Sequence, residues 1–284
     1  MGKQGDDPTT AMGPPRYLTA ERPLRERLLH QARILGVLSR SEFKFKYAGS
    51  LLGYAWSVMK PLMYFAILWV IFGRLFRSQI QKFPLYLILG VVLWTFVADA
   101  VTATLPSIVA RGPTLRRIWF PPIVIPVSAT VTALMTLGVN LLVVVVFIAA
   151  SDVSPNLQWA LLIPLLVELY LFALGLSMIA STLYVRYRDI SQIWEVATSL
   201  LFFTAPIMYP VSILPIWARH IIVFNPFVQI LQDARRIVLG PDSQTVRLIG
   251  HHGNHLIPGA VIVVLLVCSA WLYRTQAPKF AELA

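Results

Sequence analysis

Residues 123–150 contain no Asp, Glu, Lys or Arg, and this uncharged run limits what the chain can fold into more than any other feature. A helix needs about 20 mostly apolar residues to cross the hydrocarbon core of a bilayer. Hydrophobic residues make up 57% of the 284 residues and charged residues 13%, about half the charged fraction of a soluble domain. A soluble core could not bury that much apolar surface. We therefore predict an all-α integral membrane protein.

Six segments are long and apolar enough to be predicted as transmembrane helices. They are residues 56–76, 83–105, 123–150, 157–184, 191–209 and 256–273. The stretch between the last two is too apolar for a loop in water, but Pro210, Pro215, Pro226 and Pro241 interrupt it too often for a span. We predict re-entrant gate helices there, provided that protein or water satisfies the freed backbone groups.

The N-terminal part is predicted to lie outside the bilayer core. Residues 1–18 are polar with several Pro and Gly, so we expect a flexible cytoplasmic tail. In residues 19–50, leucines fall on one stripe of a helix and arginines on its other faces, which predicts an amphipathic interface helix in the headgroup plane. A solvated helix packed on a partner is the alternative. Residues 51–284 are then the six-span transmembrane domain.

The basic residues predict the orientation of the spans. Most of the 24 Lys and Arg fall in segments that face the cytoplasm if both termini lie inside, which the positive-inside rule favours. The formal net charge of +11 is therefore assigned to contacts with anionic lipid headgroups and not with nucleic acid.

Motifs for catalysis are missing from the sequence. HExxH, GxSxG and the phosphate-binding GxxxxGK[ST] do not occur, so the chain is not expected to be an enzyme or to hydrolyse ATP by itself. His251, His252 and His255 form a cluster in a predicted loop, and we interpret them as solvated histidines and not as a metal site.

Polar and aromatic residues within the spans are the candidates for function. Lys60, Asp99, Glu168 and Glu195 are ionisable residues within or near spans, where each must face protein, water or headgroups. Aromatic residues cluster on the first and fifth spans, where they either anchor helices at the interface or face a pore and stack on sugars. The substrate-path candidates among them are Tyr64, Trp69, Phe202 and Phe203.

Five strings, in order over residues 30–275, resemble motifs of polysaccharide-type ABC exporter permeases. They are residues 40–56 (RSEFKFKYAGSLLGYAW) followed by Pro61, residues 115–122 (LRRIWFPP), residues 186–190 (RYRDI), residues 206–210 (PIMYP), and Asn225-Pro226 with Arg235 and Arg236. The chain looks closest to actinobacterial cell-wall galactan exporters.

This resemblance implies a partner set and a mechanism. Two copies of the chain would line a channel in the bacterial inner membrane, with separate ATPase subunits carrying ATP and Mg. The substrate would be a polyprenyl-diphosphate-linked glycan, exported from the cytoplasm to the outer face of the membrane. The chain itself would bind no cofactor and would contact membrane lipids.

The resemblance also implies residue roles. Contact with the ATPase would fall on two groups, Arg40, Phe43, Lys44 and Lys46, and then Arg116, Arg117, Trp119 and Phe120. The substrate path would add Arg186, Arg188 and Asp189 at the cytoplasmic mouth and Arg235 and Arg236 at the outer gate. The alternatives are positive-inside anchoring for the first three residues and local neutralisation by Asp233 for the last two.

Other functions remain as alternatives. A permease of another ABC exporter, for a drug or a small lipid, would share the spans. A membrane-embedded transferase acting on polyprenyl phosphate would need acidic clusters at the membrane face, whereas the acidic residues here are single and scattered. A non-transporting assembly protein is the third alternative.

Overall fold

A computed structural model describes residues 24–50, 52–77, 80–111, 122–222, 224–240 and 256–277. Within these residues the chain forms helices and no strands, as the all-α prediction requires. The predicted tail, the histidine cluster and the second coupling group (Arg116, Arg117, Trp119 and Phe120) lie outside the described residues.

The described helices follow the predicted order. They are α1 (Leu24–Tyr47), α2 (Ala55–Leu68, continued by the π-helical segment Trp69–Leu75), α3 (Phe83–Thr104), α4 (Ser107–Ala110), α5 (Val124–Ala149), α6 (Leu162–Arg186, preceded by the 3₁₀ turn Leu157–Leu161), α7 (Ile190–Thr204), α8 (Ile216–Ile222), α9 (Pro226–Leu239) and α10 (Leu256–Gln276).

Helix α3 is the centre of the bundle. Its residues Leu85, Tyr86, Leu87 and Ile88 are all fully buried, although they point in different directions around the helix. It packs mainly against α5 and α6, while α10 packs on α6 and α1 lies along α5. A helix buried on all sides by other helices is apolar all round, which is why its sequence shows no amphipathic stripe.

Five helices in the described residues are long and apolar enough to cross a membrane. They are Ala55–Leu75, Phe83–Thr104, Val124–Ala149, Leu157–Arg186 and Pro258–Gln276. These match the first four predicted spans and the last one.

The predicted fifth span, residues 191–209, differs from the structure. Helix α7 has 15 residues and ends at Thr204, so it measures about 22 Å, less than the hydrocarbon thickness of about 30 Å. Pro206 explains the early end, because proline disfavours helical backbone in the residue before it. Ala205 accordingly has φ −70° and ψ 137°, which is extended backbone.

The predicted gate region contains two short helices, α8 and α9. The Asn225 side chain caps α9 by accepting a hydrogen bond from the Phe227 backbone N–H at 3.0 Å, and Pro226 occupies the first helical turn. This is the usual chemistry of a helix start, where proline loses no hydrogen bond. The Asn-Pro pair therefore fixes where α9 begins.

Candidate functional site

A cavity of about 690 Å³ lies between α2 and α3, beside the end of α1. Its polar lining includes Lys46, Lys60, Asp99 and Thr102, and the rest of its wall is mostly apolar. The structure thus brings together two ionisable residues noted on separate spans, Lys60 and Asp99, with a lysine predicted to contact the ATPase.

Asp99 lies between the two lysines of the cavity. Its Oδ1 is 3.4 Å from Lys60 Nζ, and its Oδ2 is 4.0 Å from Lys46 Nζ. Lys60 and Asp99 therefore each have a partner of opposite sign, as charges at membrane depth require. Trp194 of α7 donates its Nε1–H to Thr102 Oγ1 at 3.0 Å, which ties the start of α7 to the same end of the bundle.

Aromatic rings form a continuous row beside this cavity. Phe202 contacts Tyr64, with ring centroids 6.5 Å apart, and Trp94 at 6.4 Å. Trp94 in turn meets Phe227 edge to face at 5.0 Å, and Phe203 lies 5.4 Å from Phe202. Tyr64 and Phe203 are 52% and 62% exposed, whereas Trp94 is 7% exposed, so the row leads from an open face into the core.

The row contains three of the four aromatic candidates. Trp69 lies elsewhere, in the π-helical segment of α2, where the Arg74 guanidinium is 5.1 Å from its ring centroid. Trp94 and Phe227 belong to the row but were not among the candidates. Trp94 could not have been found from the sequence, because the buried side of an apolar span looks like its lipid side. Phe227 begins the apolar stripe of the amphipathic helix α9, with Ile230 and Leu231, and this spacing was the available signal.

Arg235 holds the broken backbone that follows α7. It is fully buried and donates hydrogen bonds to the carbonyl oxygens of Pro206 at 2.7 Å and Ile207 at 2.6 Å. It also donates to the Tyr86 carbonyl at 3.2 Å, and its guanidinium carbon is 3.4 Å from the centroid of the Tyr86 ring. Protein covers the Arg235 side chain, so the predicted contact with a diphosphate or headgroup would need a rearrangement and stays a prediction. Arg236 is exposed, as that contact would need.

The three candidates at the predicted cytoplasmic mouth are exposed on the connection between α6 and α7. Arg188 lies over the Tyr184 ring with 5.1 Å to its centroid, and Arg186 lies over the Tyr187 ring with 5.3 Å. Because Trp194 reaches Thr102, this connection is at the same end of the bundle as the cavity.

Comparison with known proteins identifies the architecture. Residues 34–239 match the family model for the ABC-2 type transporter. The chain belongs to the ABC-2 type transporter family. The match covers most of the described helices, from α1 to α9.

Curated relatives are named as permeases and transport proteins. The chain is 31% identical over 207 residues to the O-antigen export system permease protein RfbA of Klebsiella pneumoniae, covering 72% of this chain and 80% of that protein. It is 26% identical over 267 residues to the Myxococcus xanthus protein of the same name, covering 92% and 98%. The polysialic acid transport protein KpsM of Escherichia coli is 24% identical over 242 residues, covering 83% and 90%. The predicted resemblance to polysaccharide-type ABC exporter permeases is confirmed.

The first group of coupling candidates in this ABC-2 permease lies along the last turns of α1. Arg40 and Lys44 are exposed, and Phe43 stacks on Tyr54 with ring centroids 5.2 Å apart. Lys46 instead reaches the cavity. Arg40 and Lys44 are therefore accessible at the surface of this helix, and their contact with an ATPase subunit stays a prediction.

Glu42, which the sequence reasoning missed, fixes α1 to the membrane bundle. Its carboxylate pairs with Arg111 and accepts hydrogen bonds from Ser128 Oγ and Thr132 Oγ1, each at 3.0 Å. The Ser39 backbone carbonyl also accepts a hydrogen bond from Thr132, at 3.3 Å. Glu42 is one of two acidic residues in a mostly basic helix, and this was the available signal. The network joins α1 to α5 and to Arg111, which follows α4.

The described residues contain no group of three or more His, Cys, Asp and Glu side chains that could hold a metal ion.

Proposed function

We propose that this chain is the membrane-spanning permease of an exporter that moves a polyprenyl-diphosphate-linked polysaccharide from the cytoplasm to the outer face of the inner membrane. The observation that carries the proposal is the aromatic row, which begins on an open face at Tyr64 and Phe203. Aromatic faces stack on the apolar faces of sugars, and they tolerate different sugars because they form no fixed hydrogen bonds. The names of the O-antigen and polysialic acid relatives support the same class of substrate.

The proposed topology has six crossings with both termini in the cytoplasm. Helix α7 supplies about 22 Å, and the non-helical residues 205–209 that follow it would supply the rest of the crossing of about 30 Å of hydrocarbon. Non-helical backbone is tolerated at that depth only where protein satisfies it. Arg235 and Tyr86 support this reading, since they donate to the carbonyls of Pro206, Ile207 and Tyr209. Helix α1 would lie in the interface plane, and α8 and α9 would be re-entrant.

A second copy would cover the open face of α2 and α7. No residue of α7 is buried, and Ile193, Val196, Leu200 and Phe203 are each at least 60% exposed. Their spacing of three and four residues places them on one stripe of the helix. Two such faces would enclose a channel into which Tyr64 and Phe203 point. Helix α1 would transmit the closure of the separate ATPase subunits to this channel.

Among possible glycans, the motif resemblance favours a cell-wall galactan.

The first experiment is purification of the tagged chain in mild detergent, identification of its partner, and an ATPase assay. A stoichiometric subunit with a Walker A motif, and hydrolysis only when both are present, is expected. Loss of the chain in cells should lower surface polysaccharide and leave lipid-linked glycan inside. A chain that purifies alone in several detergents would contradict the proposal and favour the transferase. Intact surface glycan with increased drug sensitivity would favour another ABC exporter.

A further inference from the structure

We propose that the cavity between α2 and α3 binds the diphosphate of the lipid-linked substrate, with Lys46 and Lys60 as its cationic ligands. The inference rests on the proposed export function and names the place where the substrate headgroup is held before transfer.

The charge of the cavity favours an anion. The charged residues that line the cavity are two lysines, Lys46 and Lys60, and one carboxylate, that of Asp99, so the lining carries a formal excess of one positive charge. The nitrogen-to-oxygen distances of 3.4 and 4.0 Å are longer than the usual 2.7–2.9 Å of a charge-assisted hydrogen bond. The side chain of Lys60 is 57% exposed, and an ammonium group has three N–H donors. Asp99 thus occupies the lysines loosely, and an incoming phosphate can displace it.

The depth of the cluster suits a lipid headgroup. Lys60 is five residues from the start of α2 and Asp99 is five residues from the end of α3. At 1.5 Å per residue, both lie about 8 Å inside the helix ends. Interfacial groups lie about 5–10 Å into the boundary between headgroups and acyl chains, so a diphosphate on a lipid would reach this level.

The apolar wall suits what is attached to the diphosphate. Met63, Tyr64 and Ile67 line the cavity, and each is more than half exposed. The volume of about 690 Å³ is within the range of small-molecule sites, about 300–1,000 Å³. Tyr64 belongs both to this wall and to the aromatic row. A substrate held by its diphosphate at Lys60 would therefore have its first sugars beside the row.

A purely structural ion pair makes the opposite prediction for one variant. If Asp99 and the lysines only join α1, α2 and α3, removing either sign of charge weakens the same contact. If the lysines bind a phosphate, Asp99 competes with it, and Asp99→Asn should strengthen binding. The direction of this single effect separates the two explanations.

The test measures binding of radiolabelled farnesyl diphosphate to the full complex, with its ATPase partner, in lipid nanodiscs. Farnesol, inorganic diphosphate and phosphatidylglycerol serve as competitors. The variants are Lys46→Gln with Lys60→Gln, Asp99→Asn, and Lys82→Gln as the matched control. Lys82 is exposed at the opposite end of α3, where its Nζ is 3.3 Å from the Asp152 carbonyl oxygen.

We expect the double lysine variant to bind farnesyl diphosphate about tenfold more weakly, the size of one lost hydrogen bond to a charged group. Asp99→Asn should bind it several-fold more tightly, and Lys82→Gln should bind it unchanged. Inorganic diphosphate should compete and farnesol should not.

Three results would overturn the proposal: unchanged binding in the double lysine variant, weaker binding in Asp99→Asn, or phosphatidylglycerol competing as well as farnesyl diphosphate. Failure of the proposed export function is measured separately from failure of the binding site. A complex that binds farnesyl diphosphate at these lysines but exports no polysaccharide would leave the site standing and remove the exporter.

Discussion

At the scale of single residues, Arg235 is the side chain on which the break after α7 depends. Replacing it with Met removes the donors for the Pro206 and Ile207 carbonyls in a site that is fully buried. Each unsatisfied buried group costs about 1–3 kcal/mol, so we expect a loss of about 3 kcal/mol in the free energy of unfolding. The free energy of unfolding of Arg235→Lys should lie between those of the wild type and Arg235→Met, because lysine keeps the charge but not the planar guanidinium group.

The measurement is the temperature at which half of the detergent-solubilised protein remains monodisperse. Arg236→Met is the control, since Arg236 is the exposed neighbour on the same helix. Equal thermal stability of Arg235→Met and Arg236→Met would show that the backbone break does not depend on Arg235.

Gly90 packs against Arg235 and Ile207, and this close packing leaves no room for a larger residue. A Cβ atom at Gly90 would lie 2.9 Å from Arg235 Nη2, closer than real contacts allow, and 3.0 Å from Ile207 Cγ2, tighter than most real contacts. We expect Gly90→Ala to destabilise the protein by about 1–3 kcal/mol, the usual cost of overpacking. Gly138→Ala on α5 is the control, because a Cβ there meets nothing within 4 Å.

The thermal-stability assay used for Arg235 also checks this prediction. In an Arg235→Met background the Gly90→Ala penalty should shrink, because the clashing atom is gone. Equal penalties in both backgrounds would contradict a direct contact between the two positions.

At the scale of elements, the Glu42 network decides whether α1 moves with α5 or separately from it. Glu42→Gln removes the charge that pairs with Arg111 and leaves one oxygen, which can accept from Ser128 or from Thr132. We expect less glycan exported per ATP hydrolysed, because movement of α1 is no longer passed to the bundle. Arg111→Gln should give the same defect, and the double variant should add little to either.

Export and ATP turnover are measured on the same reconstituted complex. Glu26→Gln is the control, since Glu26 is exposed in the first turn of α1. Additive defects in the double variant, or a loss in Glu26→Gln of the same size, would count against a coupling role for the pair.

The elements also show how far the sequence could be interpreted. Length and apolar content were enough to predict the spanning helices α2, α3, α5, α6 and α10, because a helix that crosses a bilayer must be both long and apolar. Apolar content predicted a fifth span that ends at residue 209, whereas the helix in the structure ends at Thr204 because of Pro206. The site was harder to predict. A membrane helix is apolar on its core and lipid sides alike, so the burial of the row partner Trp94 could not be inferred before the packing was known. The burial of Arg235 was missed for a different reason, because a charged side chain is almost never fully buried.

At the scale of the whole molecule, the open face of α2 and α7 predicts how two copies meet. A two-fold axis brings the same stripe of both copies together, and the residues of the stripe that are closest to the axis lie near their own counterparts. We expect Leu200→Cys to form a dimer with a bis-maleimide cross-linker in membranes, in a background where the native exposed Cys268 is replaced by Ser.

Val145→Cys on α5 is the matched control, because Val145 is 58% exposed and Leu200 is 62% exposed. Both side chains would react alike if both simply faced lipid. Cross-linking confined to position 200 would therefore identify α7 as the contact between copies, and equal cross-linking at both positions would remove that assignment.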